Sequence, residues 1–388
     1  MTQDEPEIPV LEPELLLGGL NPSPGSALIV RSGPAAMFER ALAHLRSACP
    51  GIRIAQLCHA GREREDLENM IYPREGYFRA RHADLDRLRR EKFDLALVLY
   101  ATDRRLHPEY HEVDSIAVES GARNVVALYW DGLATELTPG VIELKKRAVL
   151  APWIERMEAA VREIRDFTGE EPETVREKCD LAAVRGNEQW RNLSPATDRE
   201  IEEFYRGTDF YIYALMKESD WRGARSGVAE ETAPYLASGD RVLDYGGGVG
   251  TICLELAGKG FELSHLDLPG PLIEFASRRF RGRGLEVDVI PAFEQYPLKG
   301  RYDAIICTHV LEHLPDPESK LIHMARHLRS TGRMFLAVPF EPNAVAGAHP
   351  DMHLNRLSPE SLERVMRSQG LELFARRGEL DIFRKTGI

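Results

Sequence analysis

Two segments of this 388-residue chain carry side chains whose types and spacing could do chemistry. In Val242-Leu-Asp-Tyr-Gly-Gly-Gly-Val-Gly-Thr251 an apolar run enters a D-x-G-x-G-x-G turn just before a helix-forming stretch. Glycine there lets the backbone take positive φ and pass close to a ligand. Dinucleotide-binding folds use a related turn to cradle a pyrophosphate, so the glycines alone leave the ligand open. Asp244 tilts the choice, because a carboxylate repels a diphosphate and suits the ammonium of an amino-acid moiety. A second apolar run ends at Leu266-Asp267-Leu268, where a carboxylate is placed to accept hydrogen bonds from both hydroxyls of a ribose. The plainer alternative for Asp267 is a surface carboxylate capping the next helix.

The second segment is His309-x-x-Glu312-His313, with His349 and His353 further on. A histidine of near-neutral pKa is a suitable general base, and His309, His349 and His353 follow predicted strands on one side of the domain. Residues at i, i+3 and i+4 share a helical face, so His309, Glu312, His313 and His353 also form an N/O donor set suited to zinc or a similar divalent ion. Against a metal, Glu312 in a first helical turn would serve to stabilise the helix dipole.

These groups need a scaffold. Short apolar runs alternate with helix-period segments, the pattern of βα units building a parallel sheet. In the first half we read strands at Ala27–Val30, Ile52–Cys58, Phe93–Tyr100 and Asn124–Tyr129, with helices at Ala35–Ser47, Asp84–Arg90 and Tyr110–Glu119. In the second half strands are expected at Arg241–Tyr245, Glu262–Leu266, Glu286–Ile290, Tyr302–Cys307 and Arg333–Val338, followed by an antiparallel hairpin of Leu371–Ala375 and Leu380–Arg384. Between the halves, the amphipathic segment Gly140–Phe167 leads to a polar linker over Thr168–Val175. Thr197-Asp-Arg-Glu200 has the form of a capping box and starts a helix carrying the aromatic stretch Phe204–Tyr213. Asp316-Pro317 and Ser358-Pro359 are N-cap and first-turn pairs. The expected division is a lead-in over 1–26, an α/β domain over 27–168, a linker and helical lid over 169–238, and a second α/β domain over 239–388.

The bulk numbers fit a globular chain, with 43% hydrophobic and 29% charged residues. A formal net charge of −12 with no basic, aromatic-interleaved patch disfavours nucleic acid and favours small molecules. The acidic, Pro-rich start over Met1–Glu14 lacks signal-peptide features and no apolar run is long enough to span a bilayer, so a cytoplasmic protein without membrane contact is expected. Cys49, Cys58, Cys179, Cys253 and Cys307 include no C-x-x-C pair and read as reduced, buried apolar residues.

Val242–Thr251, Ser264–Leu272, Tyr302–Pro317 (Y-D-A-I-I-C-T-H-V-L-E-H-L-P-D-P) and Leu328–Pro339 (L-R-S-T-G-R-M-F-L-A-V-P) occur in the order and spacing of the class I methyltransferases dependent on S-adenosylmethionine (SAM). Over roughly Gly239 to Lys385 the chain resembles that superfamily, within it the subgroup of ubiquinone-biosynthesis-type and natural-product O-methyltransferases. The resemblance implies a seven-stranded Rossmann-like sheet of order 3-2-1-4-5-7-6, with SAM across the C-terminal ends of the strands. It places Asp244, Gly246 and Gly248 on the methionine side, Asp267 and Leu268 at ribose and adenine, and Cys307 and Thr308 beside the sulfonium. Where many relatives have an Asp for the adenine amine, this chain reads Pro291-Ala292-Phe293-Glu294, so adenine falls to the Phe293 backbone N–H and apolar packing or to Glu294. Small-RNA 2′-O-methyltransferases bind a metal through E-x-x-E-H and a distant His; here His309 replaces the first Glu, and L-E-H also occurs in metal-free relatives. A divalent metal is therefore not favoured, and His309 and His353 are the candidate bases. The motifs N-P-P-Y and D-P-P-Y of nucleic-acid amino-methylases are missing. The segment Phe204–Tyr213, with Trp221 and Arg222, stands where relatives place a lid, or else is ordinary core packing.

Residues 27–130 resemble the N-terminal Rossmann half of GT-B glycosyltransferases, notably in Arg87-Leu-Arg-Arg-Glu-Lys-Phe-Asp-Leu-Ala-Leu-Val-Leu99. Without a nucleotide-sugar-binding second half or a Gly-rich phosphate loop, glycosyl transfer is not expected there. Acceptor recognition or homodimer formation is expected instead. The whole then reads as a SAM-dependent methyltransferase of a small-molecule acceptor such as a sugar, quinol or secondary metabolite, O-directed; the alternative is a catalytically silent SAM-binding scaffold.

Overall fold

The computed structural model describes residues 8–74, 77–102, 107–195, 197–221, 226–293, 297–340, 352–354 and 356–386. The chain divides into two compact units, Met1–Glu155 and Arg156–Ile388. In the first unit, β1 (Ser26–Val30), β2 (Arg53–His59), β3 (Glu68–Tyr72), β4 (Leu95–Tyr100), β5 (Asn124–Tyr129) and β6 (Ala134–Glu136) form one sheet of order β3-β2-β1-β4-β5-β6. Its pairs are parallel except β5 with β6. Two of its strands escaped the reading above. The pattern of β3 is only partly buried, and β6 is three residues long, so neither shows a clear apolar period.

The second unit contains β7 (Arg241–Tyr245), β8 (Glu262–Asp267), β9 (Val287–Pro291), β10 (Tyr302–Thr308), β11 (Leu328–Ala337), β12 (Leu371–Arg377) and β13 (Leu380–Lys385). These pair in the order β12-β13-β11-β10-β7-β8-β9, which, counting β7 as the first, is the expected 3-2-1-4-5-7-6. β13 runs antiparallel to both neighbours and the other pairs are parallel. Both faces are buried, because successive side chains of a strand point to opposite sides. Leu243, Ile305, Cys307, Met334 and Leu336 enter one core, and Val242, Ala304, Ile306, Phe335 and Ala337 the other. Each fully buried aliphatic side chain contributes about 1.5–3 kcal/mol, so the central strands are held rigidly and their C-terminal ends are fixed points.

The region ahead of this sheet differs from expectation in two places. Thr168–Val175 is mostly helix: only 169–171 turns, and Pro172, suited to a first helical position, opens the helix Pro172–Leu193. Thr197 and Glu200 do make the capping box of Asp198–Gly207, but that helix stops before the aromatic stretch ends. Thr208 is extended, and a new helix, Phe210–Leu215, runs into a π-helical turn at Met216–Trp221. Gly207 and Thr208, both poor helix formers, explain the break. The predicted N-caps Asp316 and Ser358 accept from the Ser319 and Ser361 backbone N–H groups. No helix among the described residues is long and apolar enough to cross a membrane.

Candidate active site

The Gly-rich turn lies at the C-terminal end of β7. Gly246, Gly248 and Gly250 all have positive φ, at 70°, 59° and 80°. A Cβ on Gly246 would stand 2.4 Å from Val310 Cγ2. Gly246→Ala is therefore expected to cost about 2–4 kcal/mol from left-handed strain and overlap, read as a lower midpoint in urea unfolding. The Gly246 and Gly247 N–H groups donate to the Leu266 carbonyl at 2.8 and 3.1 Å, binding the turn to the end of β8.

Asp267 ends β8 and fastens the same turn. One carboxylate oxygen accepts from Gly248 N at 2.8 Å and the other from Leu268 N at 2.7 Å. Each oxygen retains a lone pair, so the group can still accept from two hydroxyls. Burial raises its pKa, opposed by His265 and by the two N–H groups. Asp244 is 3% exposed, with Oδ2 3.9 Å from His265 Nδ1 and the Cys253 thiol donating to it at 3.9 Å. Its carboxylate thus sits under the turn, against a fully buried imidazole. Phe293 follows β9, is 69% exposed, and donates its N–H to the Pro291 carbonyl at 2.9 Å. Glu294 lies outside the described residues. At the end of β10, Cys307 and Thr308 are buried; the Cys307 side chain belongs to the core, and burial pushes its thiol well up.

Beyond β10 the chain does not form the α-helix on which the i, i+3, i+4 argument rested. Leu311–His313 is one short 3₁₀ turn, and His309 precedes it with φ 55°. The macrodipole role considered for Glu312 therefore loses its helix. Glu312, His313 and His353 nevertheless converge, with one ligand atom from each lying within 4.8 Å of the others. The link is a hydrogen bond from Leu354 N to the Glu312 carbonyl at 2.8 Å, which returns the 352–354 segment to this turn. His349 lies outside the described residues.

The electrostatics separate the histidines. His309 faces carboxylates through both nitrogens, Nε2 at 3.0 Å from Glu379 and Nδ1 at 3.5 Å from Glu312. His313 Nδ1 lies 3.2 Å from the Met352 carbonyl, which can only accept, so that nitrogen carries the proton and Nε2 keeps its lone pair. The Tyr205 hydroxyl lies 3.1 Å from the same Nδ1. Burial pushes the pKa values of both His313 and His353 down, so both are neutral near pH 7. Burial alone would raise the Glu312 carboxyl, but His309 and His313 outweigh it and hold it below the usual range. Glu312 is 1% exposed, and its Oε2, like His353 Nδ1, is buried with no hydrogen-bond partner among the described residues.

Three contributors escaped the sequence reading. Glu379, in the turn between β12 and β13, is seventy residues from His309, and no local signal ties them. Tyr205 lies within the aromatic stretch, but its contact with His313 depends on a fold the motif does not encode. Leu215 sits against the Gly-rich turn, its Cδ1 2.7 Å from where a Cβ on Gly248 would be.

The family model described as "Methyltransferase domain" matches residues 220–375. A protein from Bordetella parapertussis named "Ubiquinone biosynthesis O-methyltransferase" is 30% identical over 174 residues, covering 40% of this chain and 70% of that protein. One of the same name from Xylella fastidiosa is 37% identical over 103 residues, covering 26% of this chain but only 42% of its own length. A solved SAM-dependent methyltransferase from Aquifex aeolicus is 14% identical with a TM-score of 0.36, covering 49% of this chain and 98% of that one. The chain belongs to the class I SAM-dependent methyltransferases and carries their domain in its C-terminal half. It is an enzyme of that class.

Proposed function

We propose that the protein transfers the methyl group of SAM to a hydroxyl of a small organic acceptor, a quinol, sugar or other secondary metabolite, with His353 as general base. The names of its relatives support an oxygen-directed reaction on a small molecule. The observation that carries the reading is the buried Nδ1 of a neutral His353, without a hydrogen-bond partner among the described residues, beside an ionised Glu312. When bound, SAM supplies a methyl group made electrophilic by its sulfonium. Asp267 and Leu268 would hold the ribose and adenine side, Asp244, Gly246 and Gly248 the methionine side, and Cys307 and Thr308 the wall beside the sulfur. Phe293, exposed beyond β9, would cover the adenine. Alignment of the acceptor oxygen with the methyl carbon supplies much of the rate. His353 Nδ1 would accept the proton of the acceptor hydroxyl, and Glu312 would stabilise the resulting imidazolium. His309, between Glu312 and Glu379, sets the position of Glu312. A screen of phenols, vicinal diols and sugars for release of S-adenosylhomocysteine (SAH) tests this. Release only with amine acceptors would overturn it.

A second reading follows from Glu312 Oε2, which has no partner among the described residues, since a buried carboxylate oxygen without a donor suits a cation. Glu312, His313 Nε2 and His353 could hold a divalent ion that lowers the pKa of a bound acceptor hydroxyl. Removal of metal by EDTA separates the two: full activity afterwards supports the histidine base, and loss restored by zinc or magnesium supports the ion. For the first unit we propose acceptor recognition or pairing with a second copy of the chain. Its likeness to a glycosyltransferase half rests only on the sequence segment noted above.

A further inference from the structure

Arg279, on the helix Pro271–Gly282 that follows β8, is 3% exposed, and each of its guanidinium nitrogens is used. Nη1 donates to the Val249 carbonyl inside the Gly-rich turn at 2.8 Å, Nε to Glu163 at 2.7 Å, and Nη2 to Asp220 in the π-helical turn Met216–Trp221. Asp220 Oδ2 in turn accepts from Thr251 Oγ1 at 3.2 Å, and Thr251 also reaches Ser219 Oγ at 3.0 Å. The wider π turn lets the adjacent Ser219 and Asp220 both meet Thr251. Four residues earlier than Ser219, Leu215 rests on Gly248.

We infer that Arg279 is a positioning residue, which clamps the Gly-rich turn and the helical segment ahead of the sheet into one unit and so sets cofactor affinity without touching the cofactor. The two clamps on the turn are independent. Asp267 holds the Gly248 N–H, and Arg279 holds the carbonyl of the next residue, which fixes the peptide planes on which close approach of the ligand depends. A planar fork with donors in fixed directions can satisfy the Val249 carbonyl and two carboxylates at once, which an ammonium on a flexible stem cannot. Through Asp220 the same fork holds Leu215 and Trp221, so loosening it releases the helical segment from the turn. The Glu163 contact fixes the guanidinium through Nε and is shared with Arg283.

The inference rests on SAM occupying the Gly-rich turn. Its test is calorimetric titration of SAH into the wild type, Arg279→Lys and Asp220→Asn, with thermal midpoints and acrylamide quenching of tryptophan fluorescence, Trp221→Phe serving to assign the Trp221 signal. Both variants are expected to bind SAH about tenfold or more weakly and to expose Trp221 to the quencher, at temperatures well below their midpoints. Asp220→Asn keeps a side chain able to bond Thr251, so it reports the clamp even if the arginine variant folds poorly. SAH affinity equal to wild type in both variants, whatever their midpoints, would overturn the inference as a mere structural strut. Failure of the wild type to bind SAH would instead overturn the cofactor assignment, and the inference with it.

Discussion

Asp267→Ala is expected to weaken SAH binding by about 100-fold or more, because hydrogen bonds to a charged acceptor are worth about 1.5–3 kcal/mol each and this carboxylate serves both turn and ribose. Its two oxygens now satisfy the Gly248 and Leu268 N–H groups. Alanine removes both acceptors and leaves the donors to find water, so the turn loosens as the ribose loses its partner. Asp267→Asn retains one acceptor oxygen and should fall between. The carboxylate also predicts a pH dependence. Burial raises its pKa above the ordinary aspartate value, and the protonated form can no longer accept at both oxygens. SAH affinity should therefore be level near neutrality and weaken on acidification, beginning above the usual aspartate range. Isothermal titration across pH checks the sign. Affinity that improves in acid would contradict the assignment.

His353→Ala is expected to lower kcat by about 10²- to 10⁴-fold, the contribution typical of a general base, with SAH affinity unchanged. The two effects separate because the 352–354 segment meets the 3₁₀ turn at Glu312 rather than the Gly-rich turn. His309→Ala should cost less. Both nitrogens of His309 face carboxylates, so its loss acts by freeing Glu312. Single-turnover rates for the two variants, measured beside SAH binding, give the comparison. Equal losses of turnover and of SAH affinity in His353→Ala would place that residue in the cofactor site instead.

The second unit was readable because its strands are buried on both faces and separated by glycine turns, so that β7, β8 and β10 show as apolar runs ending in polar residues. Sheet order came from the family resemblance that those segments carry. The unread parts depended on long-range packing. Helix Pro172–Leu193 was hidden by a polar, proline-containing start, although proline is at home in a first helical turn. At His309-x-x-Glu312-His313 the periodicity implied a helix, yet the chain emerges from β10 through a residue of positive φ and makes only one 3₁₀ turn. The convergence of Glu312, His313 and His353 comes instead from long-range contacts, the hydrogen bond of Leu354 N to the Glu312 carbonyl and that of His313 Nδ1 to the Met352 carbonyl, which no local spacing reports. Asp267 was legible as a carboxylate at a strand end, while nothing in the local sequence sets Arg279, twelve residues later on an amphipathic helix, apart from a solvated basic residue.

The most direct test of the central claim is to incubate the protein with SAM carrying a ¹³C-labelled methyl and a panel of phenols, vicinal diols and sugars, then to locate the label by NMR and quantify SAH. The account predicts ¹³C on an acceptor oxygen, with an equal amount of SAH and loss of both products in His353→Ala. Label found on nitrogen or carbon, or product formation undiminished in His353→Ala, would contradict it.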